Sequence, residues 1–170
     1  MTSRVELYGF RFTGGEHNVY RFSTDDNVDY EIKFVSSTDF FEDPETFGAD
    51  IFEMIILVVE NPNGDHLPAD KRASPTIFAI FDHFFRPQRH AVAYICDSSD
   101  GRGEARHRKF GQWFYHNAPP NLMDGGVLTK VDQVLLDGDE RTFISLIISN
   151  AHPKRKQIVE LFMDLNQAGK

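Results

Sequence analysis

Residues 91–117 read AVAYICD, SSDGRG and EARHRKFGQWFYHN in succession, and this stretch decides the fold. Residues 91–96 are almost entirely apolar and do not alternate, which is typical of a strand that is covered on both faces. The following Ser, Asp and Gly residues form turns, and Ser99 or Asp100 is placed to cap a helix. The apolar face of that helix is marked at helical spacing by Phe110, Trp113 and Phe114.

Two arginines extend this face towards the start of the helix. Arg106 lies one turn back and Arg102 lies two turns back, so we expect both to point towards the edge of the core. One interpretation is a two-point ion pair between Arg106 and Asp97 or Asp100, which would fix the helix to the sheet. The other is a phosphate or carboxylate held by the guanidinium groups and the free amides of the helix start. The sequence leaves both interpretations open.

Basic residues also occupy the start of the last predicted helix, in the order Lys154, Arg155 and Lys156. The helix macrodipole disfavours exposed cations at this position by roughly 0.3–1 kcal/mol each. Because the helix after residue 101 also begins with cations, we predict an anionic partner. On that helix Arg108 and Lys109 lie off the buried face and are expected to face water. Contact with the acidic N-terminal part, within one chain or across a dimer, is the alternative.

Composition limits the classes of function. A chain of 170 residues that is 41% apolar can form one domain, 1–170, with a substantial core. Residues 1–70 hold 4 Lys/Arg and 15 Asp/Glu (net −11), whereas residues 71–170 hold 14 and 11 (net +3). The overall net charge of −8 argues against general nucleic-acid binding.

Localisation follows from what the sequence lacks and from its single cysteine. We expect no signal peptide, because the first residues have no apolar core, and no membrane helix, because no apolar run approaches about 20 residues. Cys96 is interpreted as a small buried hydrophobe, and a lone cysteine favours a reducing compartment. These features predict a cytoplasmic protein.

Hydrophobic patterns elsewhere predict strands over residues 7–12, 19–23, 30–34, 51–60, 131–136 and 142–149. Ser74 as N-cap and Pro75 as first residue predict a helix through Phe85. We therefore predict an α+β fold, with a mixed, mainly antiparallel sheet of about six or seven strands and three packed helices. The two strand–helix crossovers after residue 60 predict parallel neighbouring strands.

Catalytic motifs are weak in this chain. Glu31 and Lys33 form an E-x-K fragment found in metal-dependent nucleases, but ordinary outward-facing strand charges are the preferred interpretation. The seven histidines have no zinc-binding spacing, so we expect no metal site. Glu104 and His107 could act as acid and base, but we expect both to lie among solvated helix charges.

One resemblance rests on the central stretch. The segment Y-I-C-D-S-S-D-G-R at 94–102 and the pattern R-x-x-x-F-x-x-W-F at 106–114 resemble an uncharacterised family of small bacterial proteins, a domain of unknown function. The resemblance covers most of the chain. It implies a soluble bacterial protein and no particular activity.

The predicted order of elements is similar to the core of the GCN5-related N-acetyltransferases. In that family a Q/R-x-x-G-x-G/A turn between the central strand and the next helix binds the pyrophosphate of acyl-CoA. The matching residues 72–77 read RASPTI, so Arg72 fits while Pro75 and Ile77 replace both glycines. Proline removes an amide donor, and Ile77 blocks close approach of the backbone. The resemblance implies acyl-CoA binding at Arg72 and Ser74.

Three hypotheses follow. The leading one is a non-catalytic regulatory or interaction protein that binds a protein, a small anionic ligand or a second copy of itself through Arg102, Arg106, Lys154 and Arg155. The alternative is an acyltransferase-like enzyme or acyl-CoA-binding protein, with a base supplied by Glu53 or Glu60. The third is a metal-dependent phosphate-handling enzyme that uses Asp97 and Asp100.

Overall fold

The computed structural model describes residues 5–37, 50–96, 99–117 and 128–165. The strands in these ranges are β1 (Arg11–Gly14), β2 (Val19–Ser23), β3 (Asp29–Ser36), β4 (Asp50–Glu60), β5 (His90–Cys96), β6 (Leu128–Asp137) and β7 (Glu140–Ser149). The helices are α1 (Ala73–Phe84), α2 (Gly103–Asn117) and α3 (Arg155–Asp164). The predicted α+β class is confirmed. None of these helices combines the length and the apolar character needed to cross a membrane.

The seven strands form one sheet in the order β1-β2-β3-β4-β5-β7-β6. Only β4 and β5 pair in parallel within this sheet, and α1 connects them, so the first predicted crossover is confirmed. The second prediction is wrong, because β7 lies between β5 and β6 and is antiparallel to both. The physical reason is the hydrophobicity of β7, whose last residues are buried, whereas β6 carries polar side chains.

The parallel strands β4 and β5 separate along their length. Their pairing runs from Asp50 opposite His90 to Met54 opposite Tyr94, while β4 continues to Glu60. Residues 55–60 are therefore paired with β3 on one side and have no strand of the described chain on the other.

Helices cover both faces of the sheet. On β7, Ile147 belongs to one core cluster while its neighbours Leu146 and Ile148 belong to another, and alternate strand residues face opposite sides. The first cluster is closed by α1 and α2, through residues such as Phe81 and Phe110. The second cluster is closed by Ile158 and Phe162, both from α3.

The predicted apolar face of α2 is confirmed, because Phe110 and Phe114 are buried and Trp113 packs against the same core cluster. The buried residues of α2 are Gly103, Phe110 and Phe114, and His107 falls between them on the same face. Phe110 stacks on Tyr94 of β5, with 4.0 Å between ring centroids, and this contact fixes the rotation. The side of α2 that faces the sheet therefore passes through His107, and Arg106 lies beside that line.

The N-terminal strand begins later than predicted. Residues 7–12 were expected to form it, but β1 starts at Arg11. The amide of Tyr8 donates instead to the hydroxyl of Thr76, at 3.0 Å, which ties this segment to α1 rather than to a strand.

Glu31 is not the outward-facing strand charge that the pattern predicts. Its side chain is buried under two cations: Arg21 donates to it from the paired position on β2, and the Lys33 ammonium lies 3.0 Å from its carboxylate. The hydrogen bond from Lys33, followed by that from Arg21, lowers the pKa of Glu31 although burial opposes this. The carboxylate therefore serves a local ion-pair network.

Replacement of Phe110 by alanine tests how α2 is held. The buried ring contacts Tyr94 and Phe78, so Phe110→Ala should lower the free energy of unfolding by about 3–4 kcal/mol in urea denaturation. Tyr115→Ala, on the exposed side of the same helix, is the matched control and should change it by less than about 0.5 kcal/mol. Equal losses in both variants would contradict the assigned rotation of α2.

Candidate functional site

Four polar side chains meet beneath α2 and form what we call the β6 cluster: His107, Lys130, Asp132 and Ser145. Lys130 and Asp132 are two residues apart on β6 and therefore point to the same face. Ser145 lies directly opposite Asp132 on β7. The rotation of α2 brings His107 to the same place, although we expected that residue to be solvated.

Asp132 is the centre of this cluster. The Lys130 ammonium lies 2.5 Å from its Oδ1, the Ser145 hydroxyl donates to the same oxygen at 2.7 Å, and His107 Nε2 lies 3.9 Å from it. The Lys130 side chain is 3% exposed, whereas that of Asp132 is 44% exposed. The carboxylate thus connects a buried ammonium to the protein surface.

The electrostatics favour an ionised carboxylate and a neutral imidazole. Burial opposes ionisation of Asp132, but hydrogen bonds from Lys130 and Ser145 outweigh it and lower the pKa of that carboxyl. Burial lowers the pKa of His107, and the nearby Asp132 only partly offsets this. Among the described residues no group forms a hydrogen bond with the buried His107 Nδ1, a situation that typically costs about 1–3 kcal/mol.

Three members of the β6 cluster, all except Ser145, line an open groove of about 610 Å³ between α2 and β6, which we call the α2–β6 groove. Its lining consists of His107, Arg108, Gly111, Gln112, Tyr115, His116, Lys130 and Asp132. Tyr115 is 66% exposed, and the Lys130 ammonium lies 5.7 Å from the centre of its ring. The groove therefore combines cations, one carboxylate, one amide and an aromatic ring.

Gly111 keeps the wall of this groove open. Glycine inside a helix costs roughly 0.5–1 kcal/mol relative to alanine. A Cβ at this position would lie 3.8 Å from Lys130 Nζ, an ordinary contact, so packing does not require glycine. A larger side chain at this position would extend into the space above Lys130.

The chemistry of the cluster suits binding better than nucleophilic catalysis. The Ser145 hydroxyl is completely buried and donates to Asp132, so a substrate cannot reach it and His107 does not activate it. Buried cations, by contrast, attract an anion more strongly than solvated ones do.

At the start of α2 the structural interpretation of Arg106 is confirmed. Its guanidinium makes two hydrogen bonds to the carboxylate of Asp100, at 2.8 and 2.6 Å. Asp100 also accepts from the amide of Arg102, as the predicted cap would. The hydrogen bond from Arg106, followed by that from Arg102, lowers the pKa of Asp100 to about 2. Asp97 lies outside the described residues.

At the start of α3 the basic residues have partners nearby. Lys154 is the N-cap residue, and Arg155 donates to the side chains of Asn150 and Thr129. Lys156 lies 3.9 Å from Glu160, one turn further along the helix. Both side chains of this last pair are mostly exposed, so the pair contributes little to stability.

The two basic helix starts do not form one edge, which corrects the predicted grouping. The start of α2 follows Cys96, at one end of β5, whereas α3 follows β7 at the end where Ile148 pairs with Ala91. Five residues of extended strand, roughly 16 Å, separate these ends.

Among the predicted binding residues Arg108 borders the groove, while Lys109 lies 5.0 Å from the ring of Trp113.

The turn predicted to bind acyl-CoA is engaged with the chain itself. The Arg72 guanidinium lies 3.9 Å from the centre of the Tyr8 ring and donates to Asp25 and to the carbonyl of Glu6. A guanidinium held by three groups is a poor candidate for a pyrophosphate ligand.

The start of α1 also differs from the prediction. Arg72 is the N-cap residue, and the Asp70 carboxylate accepts from the amides of Arg72 and Ala73, so Ser74 is not the cap. Ser74 Oγ instead accepts from the side-chain amide of Asn117. Asp70 prevails because an ionised carboxylate is at least as good a cap as a hydroxyl and is placed correctly by the preceding loop.

The described residues offer no group of three or more His, Cys, Asp or Glu side chains that could hold a metal ion. Burial raises the pKa of Cys96 to about 11, so its thiol stays protonated, as expected of a small buried hydrophobe.

Lys130, Asp132 and Ser145 were missed by the sequence analysis. Two signals were present: the K-x-D alternation on β6 and a serine within the apolar run FISLIIS of β7. Neither signal identifies the partner strand. The register of β6 against β7 is what brings the three side chains together.

The Lys130–Asp132 pair gives an asymmetric prediction for stability. Asp132→Asn leaves a buried ammonium without its carboxylate and should cost about 2–3 kcal/mol, whereas Lys130→Met leaves a half-exposed carboxylate and should cost about 1 kcal/mol. The double variant should cost less than the sum in urea denaturation. Lys156→Met on the exposed Lys156–Glu160 pair is the control and should be nearly neutral. The reverse order of the two single variants would contradict the assigned burial of Lys130.

Comparison with known proteins gives one match. No curated protein and no solved structure matches the chain. The model of the family described as "Family of unknown function (DUF6169)" matches residues 69–164, which include α1, β5, α2 and the whole β6 cluster. Because this match spans more than half of the chain, the protein belongs to that family of unknown function, DUF6169.

Proposed function

We propose that this protein is a non-catalytic, soluble bacterial protein of the cytoplasm that binds an anionic group in the α2–β6 groove. The observation that carries the proposal is an open groove that the exposed Arg108 borders and whose base holds the ion-paired Lys130 and Asp132.

The charges around the groove support an anionic ligand. The Lys130 ammonium has three N–H donors, and the Asp132 carboxylate takes one of them. Asp132 cancels the charge of Lys130, so Arg108 supplies the net positive charge of the groove. His107 adds to it when it is protonated, and because burial lowers the pKa of His107 this occurs only at acidic pH. The affinity for an anion should therefore increase as the pH falls.

The cations at the two helix starts remain part of this proposal as contacts for a larger partner. Arg102 is exposed at the start of α2, and Lys154 begins α3 at the far end of the sheet. An acidic protein surface, including that of a second copy, would contact one end or the other. The α2–β6 groove would then bind the anionic group that makes the interaction specific.

Inorganic phosphate tests the groove directly, at constant ionic strength so that general screening does not change. Arg108→Ala should weaken phosphate binding about tenfold, since hydrogen bonds to charged groups contribute about 1.5–3 kcal/mol. Gly111→Leu should abolish binding, because its side chain fills the groove. Lys109→Ala removes the same charge one residue away and is the matched control.

Binding is measured by isothermal titration calorimetry on the four proteins. Equal affinity in the wild type, Arg108→Ala and Gly111→Leu would show that phosphate binds elsewhere. That result would overturn the proposed groove.

A second candidate function, acyl-CoA binding, is favoured by the separation of β4 from β5. Beyond Met54 no strand of the described chain pairs with this side of β4, and the pantetheine arm of coenzyme A carries two amides that could pair with it. Burial raises the pKa of Glu53, as a general base near neutral pH requires. Glu60, the other base considered, ends β4. The amides at the start of α1 already donate to the Asp70 carboxylate, which argues against a pyrophosphate site there.

Acetyl-CoA should raise the melting temperature if this second function is real. The test uses the Gly111→Leu variant, so that the α2–β6 groove cannot contribute, and ADP is the control because it carries a pyrophosphate without pantetheine. A shift with acetyl-CoA that exceeds the shift with ADP supports the acyl-CoA function. No shift at millimolar acetyl-CoA, or equal shifts, would contradict it.

A further inference from the structure

An exposed tyrosine stands beside the anion-binding groups of the groove. Tyr115 lines the groove, is 66% exposed and lies 5.7 Å from the Lys130 ammonium, measured to the ring centre. A large aromatic side chain at this degree of exposure is a natural surface for stacking with a planar ligand. An inorganic anion has no planar ring that could stack on Tyr115.

Asp132 also determines which hydrogen-bonding groups a ligand of the groove must carry. Its carboxylate is 44% exposed and lines the groove, so it accepts hydrogen bonds from hydroxyl or amino groups of a ligand. Gln112, on the helix side, both donates and accepts. The ligand that fits must therefore combine an anionic end, hydrogen-bond donors and a planar ring.

The size of the groove favours a small molecule. Its volume of about 610 Å³ falls within the roughly 300–1,000 Å³ that small-molecule sites occupy. A nucleic-acid strand is disfavoured by the net charge of −8. An acidic peptide would supply carboxylates, but the carboxylate of Asp132 would oppose them.

We propose that the ligand of the α2–β6 groove is a nucleoside monophosphate, a proposal that rests on the proposed anion-binding function. The phosphate is held by Arg108 at the border of the groove, above the buried Lys130 ammonium and its partner Asp132. The ribose hydroxyls donate to Asp132, and the base stacks on Tyr115. Gly111 provides the space in which the ribose and phosphate pass over Lys130.

The test compares three probes that share a phosphate: inorganic phosphate, ribose 5-phosphate and adenosine monophosphate, with the other three common nucleoside monophosphates as a further set. Calorimetry is done at constant ionic strength. Adenosine monophosphate should bind at least about tenfold more tightly than ribose 5-phosphate, because of base stacking. Ribose 5-phosphate should bind more tightly than phosphate.

Tyr115 variants locate the stacking. Tyr115→Ala should lower the affinity for adenosine monophosphate to that for ribose 5-phosphate and leave the latter unchanged, whereas Tyr115→Phe should keep the full affinity. Because Tyr115 is exposed, both variants should remain folded. Lys109→Ala, which lies outside the groove, is the charge control.

The outcomes separate the two proposals. If the three probes bind equally and Arg108→Ala weakens all of them, the anion site stands and the nucleotide is overturned. If none binds at millimolar concentration, both are overturned. A synthetic acidic peptide that binds more tightly than any monophosphate, and loses binding in Gly111→Leu, would also overturn the nucleotide in favour of a protein partner.

Discussion

The stacking of Phe110 on Tyr94 fixes the rotation of α2, and the candidate site depends on that rotation. With Phe110 against β5, the helix turns His107 towards the sheet and leaves Arg108 and Tyr115 on the outer side. A helix rotated by one residue, or about 100°, would replace His107 with a charged arginine above β7. The aromatic contact in the core therefore decides which side chains reach the groove.

Sequence patterns predicted most of the architecture because each element has a strong local signal. The central strand β5 and its following helix, the hairpin of β2 and β3, and the three helices were predicted from apolar spacing and turn residues. The position of β7 inside the sheet was not, because hairpin signals specify which strands pair and not which one is central. That choice is made by burial: the apolar run of β7 occupies the interior, and the polar β6 lies outside it.

The candidate site was only partly predictable. Arg108 was correctly placed on the water side of α2, but the group that surrounds it combines residues from three elements far apart in sequence. The helical stripe predicted Arg102 and Arg106 at the core edge, and Arg106 is half-buried there beside His107, whereas Arg102 is exposed. The Lys130–Asp132–Ser145 contacts depend on strand register, which a single sequence does not specify.

Chemical-shift mapping by NMR with adenosine monophosphate tests most directly that the α2–β6 groove is the binding site. The account predicts that the largest amide shifts occur at Gly111, Gln112 and Tyr115 on α2 and at Lys130 on β6. Largest shifts at residues 73–77 or 155–156, the starts of α1 and α3, would contradict it and would place binding at a helix start instead.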